Sequence, residues 1–148
     1  MELGLELDAV SLVPQYSDLV SRSEVDLTTR IYFDDAKRMK LGIPILSAPM
    51  DTVTGYTMQQ TMNNLGAGGI HHRYCDAETL LKACSFGPIA VAPSMGTDFL
   101  KKVFDYSPRA VLVLDVAHGD SKVCLEYARQ ARILGLRVVS GNIATNGA

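Results

Sequence analysis

The chain has 148 residues, 47% of them hydrophobic and 20% charged, with a formal net charge of -2. That suffices for one domain with a sizeable core. The sequence has no basic run to bind nucleic acid and no apolar stretch near the roughly 20 residues that span a bilayer, so neither is expected as a partner. The acidic amino terminus lacks a signal-peptide layout. Cys75, Cys84 and Cys124 form no CxxC and cannot all pair, which fits a reducing cytoplasm and reads each as a small buried apolar residue.

Residues 1–12 alternate apolar positions at Leu3, Leu5 and Leu7 and read as an edge strand or an arm. Val13 to Ser17 is extended around Pro14, and Ser21 to Leu27 is polar and irregular. Thr28 to Phe33 reads as a short strand, and Asp34 to Lys40 as a charged connector. Residues 1–40 are thus expected to be an N-terminal arm packed against a repeating body, 41–148.

The body repeats strand and helix at intervals of roughly 20–30 residues, the size of a βαβ unit. The predicted strands are Ile43–Ser47, Gly68–His72, Ile89–Ser94, Ala110–Ala117 and Arg137–Asn142. Met58, Met62 and Leu65 mark the core face of the first predicted helix, and Leu80, Leu81 and Cys84 that of the second, with Asp76 as its N-cap. Thr97 or Asp98 caps the third, whose Leu100, Val103 and Phe104 face inward. Val123, Tyr127, Ala131 and Leu134 form the stripe of the fourth, which Gly135 stops.

Strands of Val, Ile and Leu without polar alternation are covered on both faces, which implies a parallel α/β sheet. Successive units without a GxGxxG fingerprint favour a (β/α) TIM-type barrel over a doubly wound sheet. A closed barrel takes about 250 residues, and this sequence ends three units short. The expectation is therefore an incomplete barrel: a fragment, one half of a split barrel, or a barrel completed by another chain.

In such folds ligands bind at the carboxyl ends of the strands. Here those ends read Ser47-Ala48-Pro49-Met50-Asp51, His71-His72-Arg73-Tyr74, Pro93-Ser94-Met95-Gly96-Thr97, Asp115 to Ser121, and Ser140 to Thr145. The first end is either a ligand-binding edge or an ordinary strand before a helix cap. Small residues let a flat ligand approach the backbone. Asp115 either holds ribose hydroxyls or caps a loop. Asn142 either donates to a ligand or forms an Asx turn. Adjacent histidines on a strand point to opposite faces, so one metal ion could hardly take both His71 and His72, and no metal site is assigned.

From about Asp8 onward the sequence resembles the inosine monophosphate dehydrogenase and guanosine monophosphate reductase family. The segments that carry the resemblance are Leu12 to Ser17, Ser21 to Leu27, Ile43 to Thr54, Asp115 to Gly119 and Gly141 to Thr145. The resemblance implies a cytoplasmic, homotetrameric purine-nucleotide oxidoreductase that exchanges a hydride between the purine C2 and a nicotinamide cofactor. Its substrate would be GMP, reduced with NADPH, or alternatively IMP, oxidised with NAD. A third alternative is a non-catalytic nucleotide-binding half barrel.

By similarity Ala48, Met50 and Asn142 line the nucleotide pocket, while Ser21, Arg22, His72, Asp115, Val116 and Ala117 contact the cofactor. His72 replaces a lysine common in the reductases, and Ala48 stands where the dehydrogenases often have serine. The family's nucleophilic cysteine and monovalent-cation site lie on a glycine-rich loop after the sixth strand, beyond the last residue here. No catalytic residue is therefore assigned, and the chain is expected to act only when completed by a C-terminal half. Cys75 to Pro88 leaves no room for an inserted regulatory domain. With Ser21 to Leu27 and Asp115 to Gly119, this favours the reductase branch, while Met50 to Thr54 reads more like the dehydrogenases.

Overall fold

The structure is a computed structural model that describes residues 7–33 and 38–144. Leu3, Leu5, residues 34–37 of the connector, and Thr145 lie outside them. Leu7–Ala9 is a 3-10 turn, not part of an edge strand. Residues 8–27 are exposed throughout, with Leu12 97% and Tyr16 94% accessible. Residues 8–27 of the arm therefore do not pack against the body as expected, whereas Phe33 at its far end meets the Arg137 guanidinium of the body, 5.9 Å from the ring centroid. The side-chain hydrogen bonds of residues 8–27 stay local, from Gln15 to the Val13 carbonyl, from the Leu19 amide to Ser17, and between Ser21 and Ser23, an alternative to pairing with a sheet.

Strand β1, Thr29–Tyr32, forms where β-branched and aromatic residues cluster. It pairs antiparallel with β2, Arg38–Leu41, so that Thr29 faces Leu41 and Tyr32 faces Arg38. The end of the supposed connector is thus a strand. Leu41 drives this, because it is buried while its charged neighbour Lys40 faces out.

The body contains β3 (Leu46–Ser47), α1 (Tyr56–Asn64), β4 (Gly68–Gly69), α2 (Ala77–Ala83), β5 (Ile89–Val91), α3 (Thr97–Tyr106), β6 (Val111–Asp115), α4 (Lys122–Ile133) and β7 (Arg137–Gly141). All its pairings are parallel. β3 joins β4, and β5, β6 and β7 form a second sheet in that order. A single bridge, His71 to Ile89, links the two sheets. The strands are shorter than predicted. Pro44 and Pro49 remove ladder donors around β3, and Ser94 lies in a 3-10 turn, Pro93–Met95.

The core sits between the three-stranded sheet and helices α2, α3 and α4. Ile89, Val91, Leu112 and Leu114 meet Leu80, Leu100, Val103, Tyr127 and Ala131 there. Asp76 caps α2 as expected, accepting the Thr79 amide at 2.8 Å. The cap of α3 is instead Gly96, with Thr97 already helical. In the α4 stripe Tyr127 and Ala131 are buried and Leu134 packs against the core as expected, but the first position is Cys124, while Val123 is 65% exposed. Helix α4 ends before Gly135, which has φ +87°.

Helix α1 departs most from its pattern. Met58 and Leu65 are exposed, and Gln59 is its buried residue. The reason is contact distance. A Cβ on Gly69 would lie 2.6 Å from the Gln59 Cα, so β4 must be glycine for the helix backbone to rest on it. Gln59 Nε2 then reaches across to donate to the Pro88 carbonyl at 2.9 Å.

Candidate functional site

The carboxyl ends of β3, β4 and β6 open onto one cleft of about 540 Å³, lined by Ala48, Pro49, Met50, Asp51, Tyr74 and Asp115. A hollow of similar size, about 560 Å³, opens at the amino ends of the strands and is lined by glycines together with Lys40, Asn63, Arg109 and Arg137. The cleft at the carboxyl ends instead brings together the acidic Asp51 and Asp115 with Tyr74.

Its floor begins at the turn after β3. The Met50 amide donates to the Ala48 carbonyl at 2.9 Å, and the Val53 and Thr54 amides donate to the Met50 carbonyl. Thr54 locks this turn from beneath. Fully buried, its hydroxyl donates to the Ala48 carbonyl at 2.6 Å and lies 2.9 Å from Ser47 Oγ. The Thr54 carbonyl accepts the His72 amide at 3.0 Å, which couples the β3 turn to the β4 turn.

The β4 turn corrects the reading of the two histidines. β4 ends at Gly69, and His71 makes only the isolated bridge before the chain bends at residues 73–75. The alternation of an extended strand therefore does not apply. The rings of His71 and His72 stack, with centroids 4.9 Å apart and planes at 27°. His71 Nδ1 lies 2.8 Å from the His72 carbonyl oxygen, and the Tyr74 amide donates to His72 Nδ1 at 3.1 Å. Partial burial, with the charge of His71, pushes the His72 pKa below its ordinary value, and Asp51 opposes this.

Arg73 and Tyr74 were not singled out for any role in the sequence, yet they carry the turn to β6. Arg73 Nε donates to the Asp115 carbonyl at 3.3 Å and stands 3.9 Å from its carboxylate. The same guanidinium donates to the Tyr74 hydroxyl at 2.9 Å and lies 4.4 Å from that ring's centroid. These contacts are long-range or depend on the bend, so the only sequence signal was an aromatic and a cation at a strand end.

Asp115 sits in register with Gly141 of β7. Beyond it the two strand ends are stitched together: the Asn142 amide donates to the Val116 carbonyl at 2.9 Å, and the Gly119 amide to the Asn142 carbonyl at 2.8 Å. A Cβ on Gly119 would come within 2.8 Å of the Gly141 carbonyl carbon, so only glycine fits. Ala48, Met50 and Asp115 thus share the cleft wall, with His72 beside it through Tyr74. Val116, Ala117 and Asn142 lie just past the strand ends, and Asn142 is exposed. Ser21 and Arg22 stand on the exposed arm, where Ser21 caps the turn Arg22–Glu24, and they are not part of the cleft wall.

None of the three cysteines is paired. Burial pushes the Cys84 thiol up to about 12, and burial with the neighbouring Asp76 charge raises that of Cys75. Neither has the lowered pKa of an activated nucleophile.

A family model described as "IMP dehydrogenase / GMP reductase domain" matches residues 4–85. The chain is 34% identical over 143 residues to an inosine-5'-monophosphate dehydrogenase of Nitrosopumilus maritimus, covering 94% of this chain and 25% of that relative. It is 33% identical over 155 residues to GMP reductase 2 of Bos taurus, covering 97% of this chain and 44% of the relative. The crystal structure of inosine 5' monophosphate dehydrogenase from Legionella pneumophila superposes with a TM-score of 0.77 at 29% identity, over 93% of this chain and 44% of that one. The chain therefore spans between a quarter and somewhat under half the length of these relatives.

Proposed function

The chain belongs to the IMP dehydrogenase / GMP reductase domain family, and from that we propose that it forms the arm (1–40) and opening units (41–148) of a (β/α) barrel that reduces GMP to IMP with NADPH. The observation that carries this reading is the single cleft that joins Ala48 and Met50 to Asp115 at one strand edge. Ala48, Met50 and Asn142 bind the purine nucleotide. Asp115 holds the cofactor's ribose, with Val116 and Ala117 beside it and His72, Ser21 and Arg22 as further contacts.

The groups in the cleft fit a nicotinamide cofactor. The Asp115 side chain is 33% accessible and meets Arg73 only at 3.9 Å, which leaves its oxygens free to accept ribose hydroxyls. Ala48 and Ala117 leave the backbone open to a flat ring, and Tyr74 exposes its ring at the mouth. The cofactor, when bound, would supply the hydride that forms the C2–H bond, and the C2–N bond would break with a proton from solvent so that the amino group leaves as ammonia. The chain's own residues position the two ligands: Thr54 holds the 48–51 turn rigid, and Arg73 holds Asp115 in place.

Turnover requires the part of the fold that the relatives have beyond the matched residues. The working enzyme is a cytoplasmic homotetramer. Unpaired thiols fit a reducing compartment, and exposed apolar arm residues such as Leu12 and Tyr16 offer surface for association. Among the described residues no helix is long and apolar enough to cross a membrane. The likeness to a solved dehydrogenase supports oxidation of IMP with NAD as the second reading.

The test follows reduced-nicotinamide absorbance with GMP and NADPH, and separately with IMP and NAD. Residues 1–148 alone should bind weakly without turnover. Joined to a matching C-terminal half they should consume NADPH with GMP. Turnover by the isolated chain, or NADH production from IMP as the main activity of the joined one, would overturn the reading.

A further inference from the structure

His71, His72 and Cys75 each offer one ligand atom, and these atoms lie within 4.8 Å of one another. We infer that the turn after β4 is a binding site for a zinc-type divalent ion, held by two imidazoles and a thiolate with a fourth position open. The inference goes beyond the proposed oxidoreductase activity and takes His72 from the cofactor contacts to a metal ligand, and its test uses no nucleotide.

The distances suit one ion. Zinc bonds of about 2.0–2.1 Å to nitrogen and 2.3 Å to sulfur place tetrahedral ligand atoms roughly 3.3–3.8 Å apart. The trio must close by about 1.5 Å at most. The bend at residues 73–75 lies outside any ladder or helix and lets Cys75 move, while the His72 ring turns out of its stack on His71 to aim its nitrogen at the ion. His71 supplies the fixed end. It is 1% exposed, its amide donates to the Pro88 carbonyl at 2.9 Å, and its carbonyl accepts the Ala90 amide at 2.8 Å. Its Nδ1 is oriented by the His72 carbonyl, the kind of backbone partner that fixes the tautomer and ring of a metal-bound histidine.

The carboxylates of Asp51 and Asp76 favour a cation beside His72 and Cys75, while burial and Asp76 also hold the proton on the Cys75 thiol until a metal displaces it. Arg73, the cation within the segment, is turned onto Asp115 and Tyr74. The His72 Nδ1 lone pair already points into the turn, where it accepts the Tyr74 amide. Ligation through this nitrogen exchanges that bond for the metal. Cys75 binds by losing its thiol proton to solvent, so one proton leaves for each thiolate–metal bond formed. A set of two nitrogens and one sulfur selects zinc over the oxygen-seeking magnesium and calcium.

The experiment titrates the full 148-residue chain with cobalt(II) and then displaces it with zinc. One equivalent should give a thiolate-to-cobalt charge-transfer band and the intense visible bands of a four-coordinate ion, both abolished by zinc. Cys75→Ser should remove the charge-transfer band. His72→Ala should weaken cobalt affinity by more than about 100-fold, since even loss of an outer partner costs 10–100-fold. Both variants alter residues that are not fully buried, and circular dichroism checks that they fold. A charge-transfer band that survives Cys75→Ser, affinity unchanged in His72→Ala, or only weak six-coordinate bands would overturn the inference.

Discussion

Arg73 ties the end of one strand to the end of another, its Nε 3.3 Å from the Asp115 carbonyl oxygen and 3.9 Å from the Asp115 carboxylate. Both side chains keep a quarter to a third of their surface accessible. The ion pair therefore contributes little to stability, and its consequence is positional. It aims a carboxylate into the cleft while leaving room for other donors.

In the chain completed by a matching C-terminal half, Asp115→Asn should weaken cofactor binding by about 1–3 kcal/mol, or roughly 5–150-fold, with nucleotide affinity unchanged. Cofactor and nucleotide KM measured in parallel check this. An unchanged cofactor KM would leave Asp115 as a strand-end anchor for Arg73.

Thr54→Val keeps the shape of a fully buried side chain and removes its hydroxyl. The Ala48 carbonyl then loses a 2.6 Å donor but keeps the Met50 amide. Urea unfolding should show a loss of about 1–2 kcal/mol, and nucleotide affinity should fall with it because the 48–51 turn loosens.

What could be read from residues alone was local. Asp76 capped α2 and Gly135 stopped α4 because capping depends on a few neighbouring residues. The runs at Val111 and Arg137 became strands because β-branched residues fill them, but the sheet is not covered on both faces as expected: β7 has no buried residue and Val139 is 39% exposed. The side of a helix that meets the sheet was harder to read. In α1 the apolar stripe at Met58 and Leu65 faces out, because the glycine strand beneath admits the helix backbone at Gln59. In α4 only the first position of the stripe differs, Cys124 taking the buried place expected of Val123. The His71–His72 pair misled because the period-2 rule assumes a strand that runs through both residues, whereas β4 stops at Gly69. The Arg73–Asp115 contact joins residues 42 apart, a separation no local pattern encodes.

The contact of α1 with β4 separates two substitutions that look alike on paper. Gly69→Ala forces a Cβ to within 2.6 Å of helix backbone and should cost about 1–3 kcal/mol or more, as overpacking does. Gln59→Met should be near neutral. It removes a buried Oε1 that has no partner among the described residues, and the Pro88 carbonyl retains the His71 amide. Thermal melts of the two variants side by side should rank them in that order.

Alkaline pH should unfold the chain gradually from about pH 9. Burial raises Cys84 from 9.0 to about 12 and Tyr127 from 10.0 to about 12. Between those limits the native state holds protons that the unfolded chain has lost, so stability is full below pH 9 and falls as pH rises toward 12. Cys84→Ala and Tyr127→Phe together should flatten that decline. The Tyr127 hydroxyl has no partner among the described residues, so its removal should not lower stability at pH 7. For the same reason Cys84 should resist iodoacetamide at pH 8 until the chain is unfolded, as peptide mass mapping would show.

The lone bridge at His71 divides the molecule into two cooperative units. β3, α1 and β4 hang on two-residue pairings and one seam, whereas β5, β6 and β7 share continuous ladders over a closed apolar cluster. Amide protons of β4 should therefore exchange with deuterium through sub-global openings, well before those of β6, which should exchange only when the whole chain unfolds. The cleft borders that seam, so the floor around Ala48 and Met50 breathes on a faster clock than the strand that carries Asp115.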